Sequence, residues 1–171
     1  LADKVHVADQ KIELELACFY YPGFMVKQQV YSDSKGADKL AVTPFSSTST
    51  PPICESAATA DEKIITGNSN FDPSYFMGAK GPYVFFSGDD GSFSGSFHFA
   101  IFNSQDGKQL FTDAMKNDEM YAIQLSATND LSLYYKRIYS LPCSPNVKNS
   151  ASRRACEARI KKETALRLLP S

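Results

Sequence analysis

The sequence predicts a mainly β fold: an antiparallel β-sandwich or barrel of about eight strands with one disulfide-anchored C-terminal α-helix. Short runs of alternating apolar and polar residues recur along the chain, and turn signals separate them at intervals of about ten residues. Helical periodicity begins only near residue 149. The 171 residues fit a single domain, with a β body over 1–142 and a helical tail over 143–171.

The first predicted strand covers residues 11–21. Its alternation places five residues on one face: Ile12, Leu14, Leu16, Cys18 and Tyr20. Pro22-Gly23 ends this strand, and further strands are predicted at 25–31 and 40–43. The Pro-, Ser- and Thr-rich residues 44–52 predict an extended loop. Residues 55–65 fit either a short helix or a strand ending at Ile64-Ile65.

The central part of the chain has the clearest strand pattern. A strand over 83–86 precedes a turn at 87–91, and a long strand follows with Phe93, Gly95, Phe97, Phe99 and Ile101 on one face. The other face, Ser92, Ser94, Ser96, His98 and Ala100, is expected to face solvent. Asp106-Gly107 predicts a hairpin turn into a strand from Gln109. The polar run 116–119 separates that strand from a predicted strand at 121–125. A turn at Thr128-Asn129-Asp130 leads to a last predicted strand at 131–135.

Four cysteines without any C-x-x-C spacing predict two disulfides rather than a metal site. Three connectivities are open, of which we favour Cys18–Cys54 and Cys143–Cys156. The first bridge would hold the 44–52 loop against the first strand and contribute about 3–4 kcal/mol. The second would anchor a helix that is capped by Asn149 or Ser150 and runs to about Leu168. The buried side of this helix is predicted to contain Ala155, Cys156, Ile160 and Leu166.

Disulfides indicate an oxidising compartment. The chain starts at Leu1 and contains no apolar run approaching the roughly 20 residues of a membrane span. We therefore expect a periplasmic or secreted protein whose signal peptide has been removed. The chain contains no Asn-x-Ser/Thr sequon, which favours a bacterial exported protein.

Charge is unevenly distributed along the chain. From Lys148 onward seven basic residues accompany two acidic ones, a net charge of +5, so the first 147 residues carry −6 of the overall −1. The basic tail fits either an acidic partner or the acidic body of the same chain. Nucleic-acid binding is not expected, because the basic helix lacks interleaved aromatic residues.

The sequence contains no recognisable catalytic, metal or cofactor site. His6 and His98 are the two histidines. Ser94 and Ser96 share a strand face with His98, but residues i and i+2 lie about 6.5–7 Å apart, too far for a nucleophile–base contact. Asp89 and Asp90 lack calcium-loop spacing and fit a hairpin turn. The Gly- and Ser-rich loop 87–95 is instead a candidate recognition element. Its candidate binding residues are Asp89, Asp90, Phe93, Ser94 and His98.

The leading hypothesis is a non-catalytic exported module that binds or inhibits a protein partner. Ser94-Gly95 resembles the start of the Ser-Gly-x-x-Tyr loop of small periplasmic lysozyme inhibitors, with His98 in place of the tyrosine. This resemblance covers five residues and identifies no family. The alternative is an assembly subunit of an envelope complex that docks through its basic C-terminal helix. A hydrolase using Asp89, Asp90 or His98 is the third hypothesis.

Overall fold

The computed structural model describes residues 2–7, 12–46, 48–68, 71–88, 96–137, 143 and 149–164. These residues contain ten β-strands and one α-helix. The chain divides into two units, Leu1–Ile138 and Tyr139–Ser171. The strands of the first unit are β1 (Ala2–Val7), β2 (Ile12–Tyr21), β3 (Phe24–Tyr31), β4 (Lys39–Pro44), β5 (Lys63–Ile64), β6 (Pro73–Lys80), β7 (Tyr83–Gly88), β8 (Ser96–Asn103), β9 (Gln109–Leu125) and β10 (Leu131–Arg137). The predicted mainly β composition is confirmed.

The first sheet contains β1 to β5 in chain order, each strand antiparallel to the next. Tyr21 pairs with Phe24, so β2 and β3 are joined by Pro22 and Gly23 alone. Gly23 has φ of 92°, a conformation that glycine adopts without steric cost. The predicted end of the first strand at Pro22-Gly23 is confirmed, whereas β1 was not predicted.

The second sheet contains β6 to β10, again in chain order and antiparallel throughout. The Asp106-Gly107 turn joins β8 to β9 as predicted, with φ of 68° at Gly107. Asn129 has φ of 63° in the predicted turn before β10. Asparagine is among the few non-glycine residues that tolerate this region.

Strand β9 is one continuous strand of 17 residues, so the break predicted at 116–119 is wrong. Its first part, from Gln109 to Lys116, pairs with β8, and its later part pairs with β10. The β9–β10 register shifts on either side of Tyr135. Such irregularities bend a strand without ending it. The polar run therefore lies within a bent strand rather than in a turn.

The two sheets contribute to one shared hydrophobic cluster. The first sheet and the residue after it supply Phe24, Val26, Leu40, Val42 and Ile65. The second sheet and the residues before it supply Phe71, Val84, Phe86, Ala100 and Phe102. Burial of this apolar surface is the main stabilising contribution to packing between sheets.

The opposite face of the second sheet is also buried. Phe85, Phe99, Ile101 and Met115 form a separate cluster there. Ala100, on the other side of β8, is fully buried, so the expectation that its face is open to solvent is wrong at that position. The described strands form two open sheets, and neither closes into a barrel.

The outer face of the first sheet lies beneath residues 48–62, which we call the covering segment. The predicted Cys18–Cys54 disulfide joins this segment to β2. Cys18, Leu16 and Met25 form a small buried cluster on this face. Nearby, the Tyr20 hydroxyl donates a hydrogen bond to the Pro52 carbonyl at 2.9 Å. The Pro-, Ser- and Thr-rich loop is thus the start of a segment that covers buried side chains of β2 and β3.

Lys27 on β3 is the most deeply buried charged residue among those described, at 1% exposure. Its Nζ lies 2.5 Å from Glu62 Oε2 and donates to the carbonyls of Glu55 and Ala57 at 3.2 and 2.8 Å. Lys39 Nζ lies 2.5 Å from the other Glu62 oxygen, Oε1. The ammonium and the carboxylate, both removed from water, are therefore paired with each other and bonded to further groups, as buried charges must be.

In the second unit, the helix α1 spans Ser150–Thr164. The Asn149 side chain accepts hydrogen bonds from the backbone N–H groups of Ala151 and Ser152 at 2.9 and 3.2 Å, which makes Asn149 the N-cap. The predicted Cys143–Cys156 disulfide is present. The described part of the chain contains no helix with the length and apolar character needed to cross a membrane.

The predicted buried side of α1 is correct in part. Cys156 and Ile160 are buried, four residues apart on the same side of the helix. Ala155 is exposed, so its assignment to the buried side is wrong. Leu166 lies outside the described residues.

Glu62→Gln is expected to lower the free energy of unfolding by about 3–5 kcal/mol, because it leaves the Lys27 ammonium buried without its counter-charge. Replacing both partners, as Lys27→Met with Glu62→Leu, should cost less than either single change. Urea unfolding monitored by circular dichroism measures both effects. Asp61→Asn, which changes the neighbouring exposed carboxylate, is the matched control and should be close to neutral. Equal small effects of Glu62→Gln and Asp61→Asn would contradict the assigned role of the pair.

The same ion pair predicts a loss of stability in acid. Burial raises the pKa of the Glu62 carboxyl, but the hydrogen bonds and positive charges of Lys27 and Lys39 outweigh burial and hold the pKa below its ordinary value. The stabilisation is complete above the ordinary value of about 4.3 and is lost as the pH falls through the lowered folded-state pKa. The urea midpoint of the wild type should therefore fall more steeply below about pH 4.3 than that of Glu62→Gln. An equal fall of the urea midpoint with decreasing pH in the wild type and in Glu62→Gln would contradict this.

Candidate functional site

Of the predicted recognition loop 87–95, the structure describes Ser87 and Gly88. Asp89, Asp90, Phe93 and Ser94 lie outside the described residues. Gly88 is the last described residue of β7, and Ser96 is the first described residue of β8. The roles predicted for the four inner residues remain predictions.

His98, the fifth predicted binding residue, lies within β8 opposite Ala114. Its side chain is half-buried. It shares a strand face with Ser96 and with Ala100, which belongs to the core between the sheets. His98 therefore lies between the end of the loop and the hydrophobic core.

Besides Glu62, two residues of the first unit have displaced pKa values with structural causes. Burial raises the pKa of Tyr21, whose ring stacks on Phe24 with centroids 5.0 Å apart. The backbone N–H of Lys108 donates a hydrogen bond to Asp106 in the β8–β9 turn and lowers the pKa of that carboxyl. Neither residue points to catalysis. Within the described residues, no group of three or more His, Cys, Asp or Glu side chains is placed to hold a metal ion.

A cleft of about 260 Å³ opens where β6, β7 and β8 approach the ends of the predicted loop. We call it the serine cleft. Its lining residues are Lys35, Ser74, Tyr75, Ser87, Gly88, Ser96 and Phe97. Gly88 and Ser96 are the two residues that flank the 89–95 segment in the chain.

Strand register places the floor of the serine cleft. Tyr75 pairs with Ser87, and Ser87 pairs with Phe99, so the three form a row across the second sheet. Phe97 is two residues from Phe99 and therefore lies on the same face. The Ser87 hydroxyl donates to the Tyr75 carbonyl at 3.3 Å, which links the two strands beneath the cleft. Two aromatic side chains, Tyr75 and Phe97, thus share the face that contains the Ser87 hydroxyl.

Lys35 reaches the cleft because the β3–β4 turn packs along the outer edge of β6. The Ala37 N–H donates to the Ser74 carbonyl at 2.7 Å, and the Phe76 N–H donates to Gln28 Oε1 at 2.8 Å. These bonds use backbone groups that an edge strand would otherwise expose. The result places one ammonium group at the margin of a cleft lined by hydroxyl and aromatic groups.

The chemistry of the serine cleft is suited to binding. Ser74, Ser87 and Ser96 line the cleft, and the Ser87 hydroxyl, which donates to the Tyr75 carbonyl, can still accept a hydrogen bond. Tyr75 is 40% exposed and offers an aromatic surface with a polar tip. Lys35 is exposed and has no ion pair with any residue that the structure describes. Aromatic surface beside a few convergent polar groups is typical of recognition sites.

A second cleft, of about 210 Å³, lies between β4–β5 and the start of β6. Its polar groups are largely committed to the fold. Asp38 accepts hydrogen bonds from the Tyr31 N–H and the Ser34 hydroxyl at 2.8 and 2.6 Å. Lys39 pairs with Glu62. The serine cleft is therefore the better candidate site.

None of the five predicted binding residues is among the lining residues of the serine cleft. Lys35, Ser74, Tyr75 and Phe97 were not predicted as binding residues. They come from three separate stretches of chain that only the strand register and the β3–β4 turn bring together. The one available signal was the glycine-rich turn itself, whose first residues Ser87 and Gly88 line the cleft.

Comparison with known proteins finds no match for this chain among protein-family models, curated proteins or solved structures.

Gly88→Ala is expected to reduce the free energy of unfolding by about 1–3 kcal/mol. An ideal Cβ at this position would lie 2.6 Å from Cε2 of Phe71, a buried core ring. Gly36→Ala is the matched control, because its Cβ would lie 3.4 Å from Ser74 Cβ, close to ordinary van der Waals contact. Urea unfolding of the two variants tests the difference. Equal effects would show that Gly88 is not required for the packing beneath the cleft.

Proposed function

We propose that this chain is a non-catalytic binding module that engages a protein partner at the serine cleft. The observation that supports the proposal is the position of the cleft, which is lined by Gly88 and Ser96 at the two ends of the predicted recognition loop. Inhibition of an enzyme partner is one form that this binding would take.

The side chains of the cleft favour a protein as the partner. Protein interfaces are enriched in aromatic anchors surrounded by polar groups, and Tyr75 and Phe97 would serve as such anchors. Serine and glycine supply adaptable hydrogen bonding at low steric cost. Lys35 would favour a partner with a negative charge opposite the cleft margin.

We also infer that the two sheets form a β-sandwich and that the protein functions outside the cytoplasm. The shared cluster, with residues such as Val26 on one sheet and Phe86 on the other, supports the sandwich. The Cys18–Cys54 and Cys143–Cys156 disulfides are consistent with an oxidising compartment such as the periplasm or the extracellular space. A rigid, cross-linked scaffold presents a binding surface with little loss of conformational entropy.

Affinity capture tests the proposal. The mature protein, immobilised with both disulfides intact, is exposed to a periplasmic or culture-supernatant fraction of its source. Tyr75→Ser and Lys35→Glu should each reduce recovery of a specific protein partner by about tenfold, because they remove an aromatic anchor or reverse a charge. Tyr31→Ser is the matched control, since Tyr31 is 38% exposed and lies outside the cleft.

Undiminished capture by both cleft variants would overturn the assignment of the site. Failure to recover any protein that depends on the folded module would overturn the binding function itself. Circular dichroism of each variant establishes that a loss of capture is not a loss of folding.

A further inference from the structure

The exposed side of α1 concentrates positive charge. The helix contains five basic residues and two acidic ones. Arg154, Lys161 and Lys162 are exposed, and none of them forms an ion pair with any part of the chain that the structure describes. Each charge is therefore available to a partner.

These three cations surround one small residue. Ala158 is four residues after Arg154, three before Lys161 and four before Lys162, so all three side chains neighbour it on the helix surface. Ala158 itself is exposed. At 100° per residue it lies opposite the buried pair Cys156 and Ile160. We call Arg154, Ala158, Lys161 and Lys162 the basic face.

The stability of the helix explains part of this arrangement but not Arg154. Lys161 and Lys162 lie in the last turn, where the helix dipole favours positive charge. Arg154 is the fifth residue of the helix, beyond its first turn, so the helix dipole does not favour its charge. Arg153 beside it pairs with Glu157, at an Nε–Oε1 distance of 3.5 Å. Arg154 thus carries a charge that neither the helix dipole nor an ion pair with a described residue explains.

We propose that the basic face docks an acidic segment of a partner protein. Charge complementarity specifies the partner, because three unpaired cations spaced around an alanine allow several carboxylates to approach the helix closely. Arginine in particular binds carboxylate in a bidentate geometry. This surface is on α1, in the second unit, and is independent of the serine cleft.

The basic face has no large exposed apolar side chain among the described residues of α1, which favours a protein over a membrane as its partner. Helices that lie in a membrane interface bury large apolar side chains below their cationic ones. The exposed apolar residues of α1 with described side chains are the alanines Ala151, Ala155 and Ala158. Contact at this face would therefore be polar and superficial, as at the charged part of a protein interface.

The disulfide and the cap hold the basic face in helical form before any partner arrives. Cys156 is tied to Cys143, and Asn149 satisfies the first N–H groups of the helix. The cations are consequently presented at fixed helical spacing. A preorganised surface loses less entropy on docking than a flexible basic tail would.

Binding of a fluorescent glutamate-rich peptide to the full oxidised chain, measured by anisotropy, tests the proposal. The wild type should bind, with affinity that falls as salt is added. Arg154→Glu, Lys161→Glu and Lys162→Glu combined should weaken binding by about tenfold or more. The control combines Lys80→Glu, Lys108→Glu and Lys116→Glu, which change net charge equally at exposed positions of the first unit and should retain binding.

Arg154→Gln alone separates recognition from folding. It should weaken peptide binding while leaving the thermal midpoint close to that of the wild type, since Arg154 forms no ion pair with a described residue and glutamine is a comparable helix former. A lowered midpoint would identify Arg154 as a stabilising residue and overturn the proposal. So would absence of peptide binding by the wild type, or an equal loss in the control. Equal or tighter binding to phosphatidylglycerol vesicles or to a DNA duplex would overturn the choice of an acidic protein.

Discussion

The ion pair between Lys27 and Glu62 links the covering segment to the first sheet, and the burial of the β3 side chains beneath that segment depends on it. Removing two charges from water is costly, and Coulomb attraction alone seldom compensates. Here the ammonium also meets the carbonyls of Glu55 and Ala57, and the carboxylate also meets Lys39. Gln29 adds a further hydrogen bond to the Ser56 carbonyl at 2.7 Å. Side chains of the sheet thus bind the backbone of a segment that has no strand partners of its own over most of its length.

The second sheet is covered differently. One face contributes to the cluster shared with the first sheet, and the other contains the separate cluster onto which Leu133 and Tyr135 of β10 pack. The Tyr83 hydroxyl donates to the Asn129 carbonyl at 2.8 Å, so the far end of the β9–β10 hairpin lies close to the β6–β7 turn. Leu125 packs there against Gly81. The covering segment thus contributes to burial in the first sheet, and side chains of the β9–β10 hairpin do so in the second. The serine cleft lies at the end of the second sheet nearest the predicted loop.

Local patterns in the sequence were sufficient for most of the fold. Alternation identified β2, β8 and β10, and aromatic and β-branched composition identified β7. The glycine and asparagine turns at 22–23, 106–107 and 128–130 are all present. Both cysteine pairings were predicted correctly. The failures came from long-range effects. Nothing near Lys27 shows that its ammonium is buried, because its partner Glu62 lies far along the chain. The polar run 116–119 in β9 has the composition of a turn, and the sequence pattern does not distinguish an irregular strand from two separate strands.

The candidate site was less predictable for the same reason. The loop that sequence singled out is a local feature, whereas the cleft beside it requires the register of three strands and the placement of Lys35 by a distant turn. The basic character of α1 was evident from composition. The arrangement of its basic residues around Ala158 follows from helical spacing. The structure shows that the side containing Cys156 and Ile160 is the buried one.

The closure of the β6 edge by Ala37 and Gln28 restricts how another molecule can approach the serine cleft. An extended peptide often binds beside a sheet by adding a strand. This mode of binding uses main-chain hydrogen bonds and therefore tolerates many sequences. At Ser74 and Phe76 the carbonyl and the N–H that would support such addition are already occupied within the chain. Along this stretch, the selection of a binding partner must rest on the identity of its side chains. The same two bonds also oppose self-association by strand addition at Ser74 and Phe76.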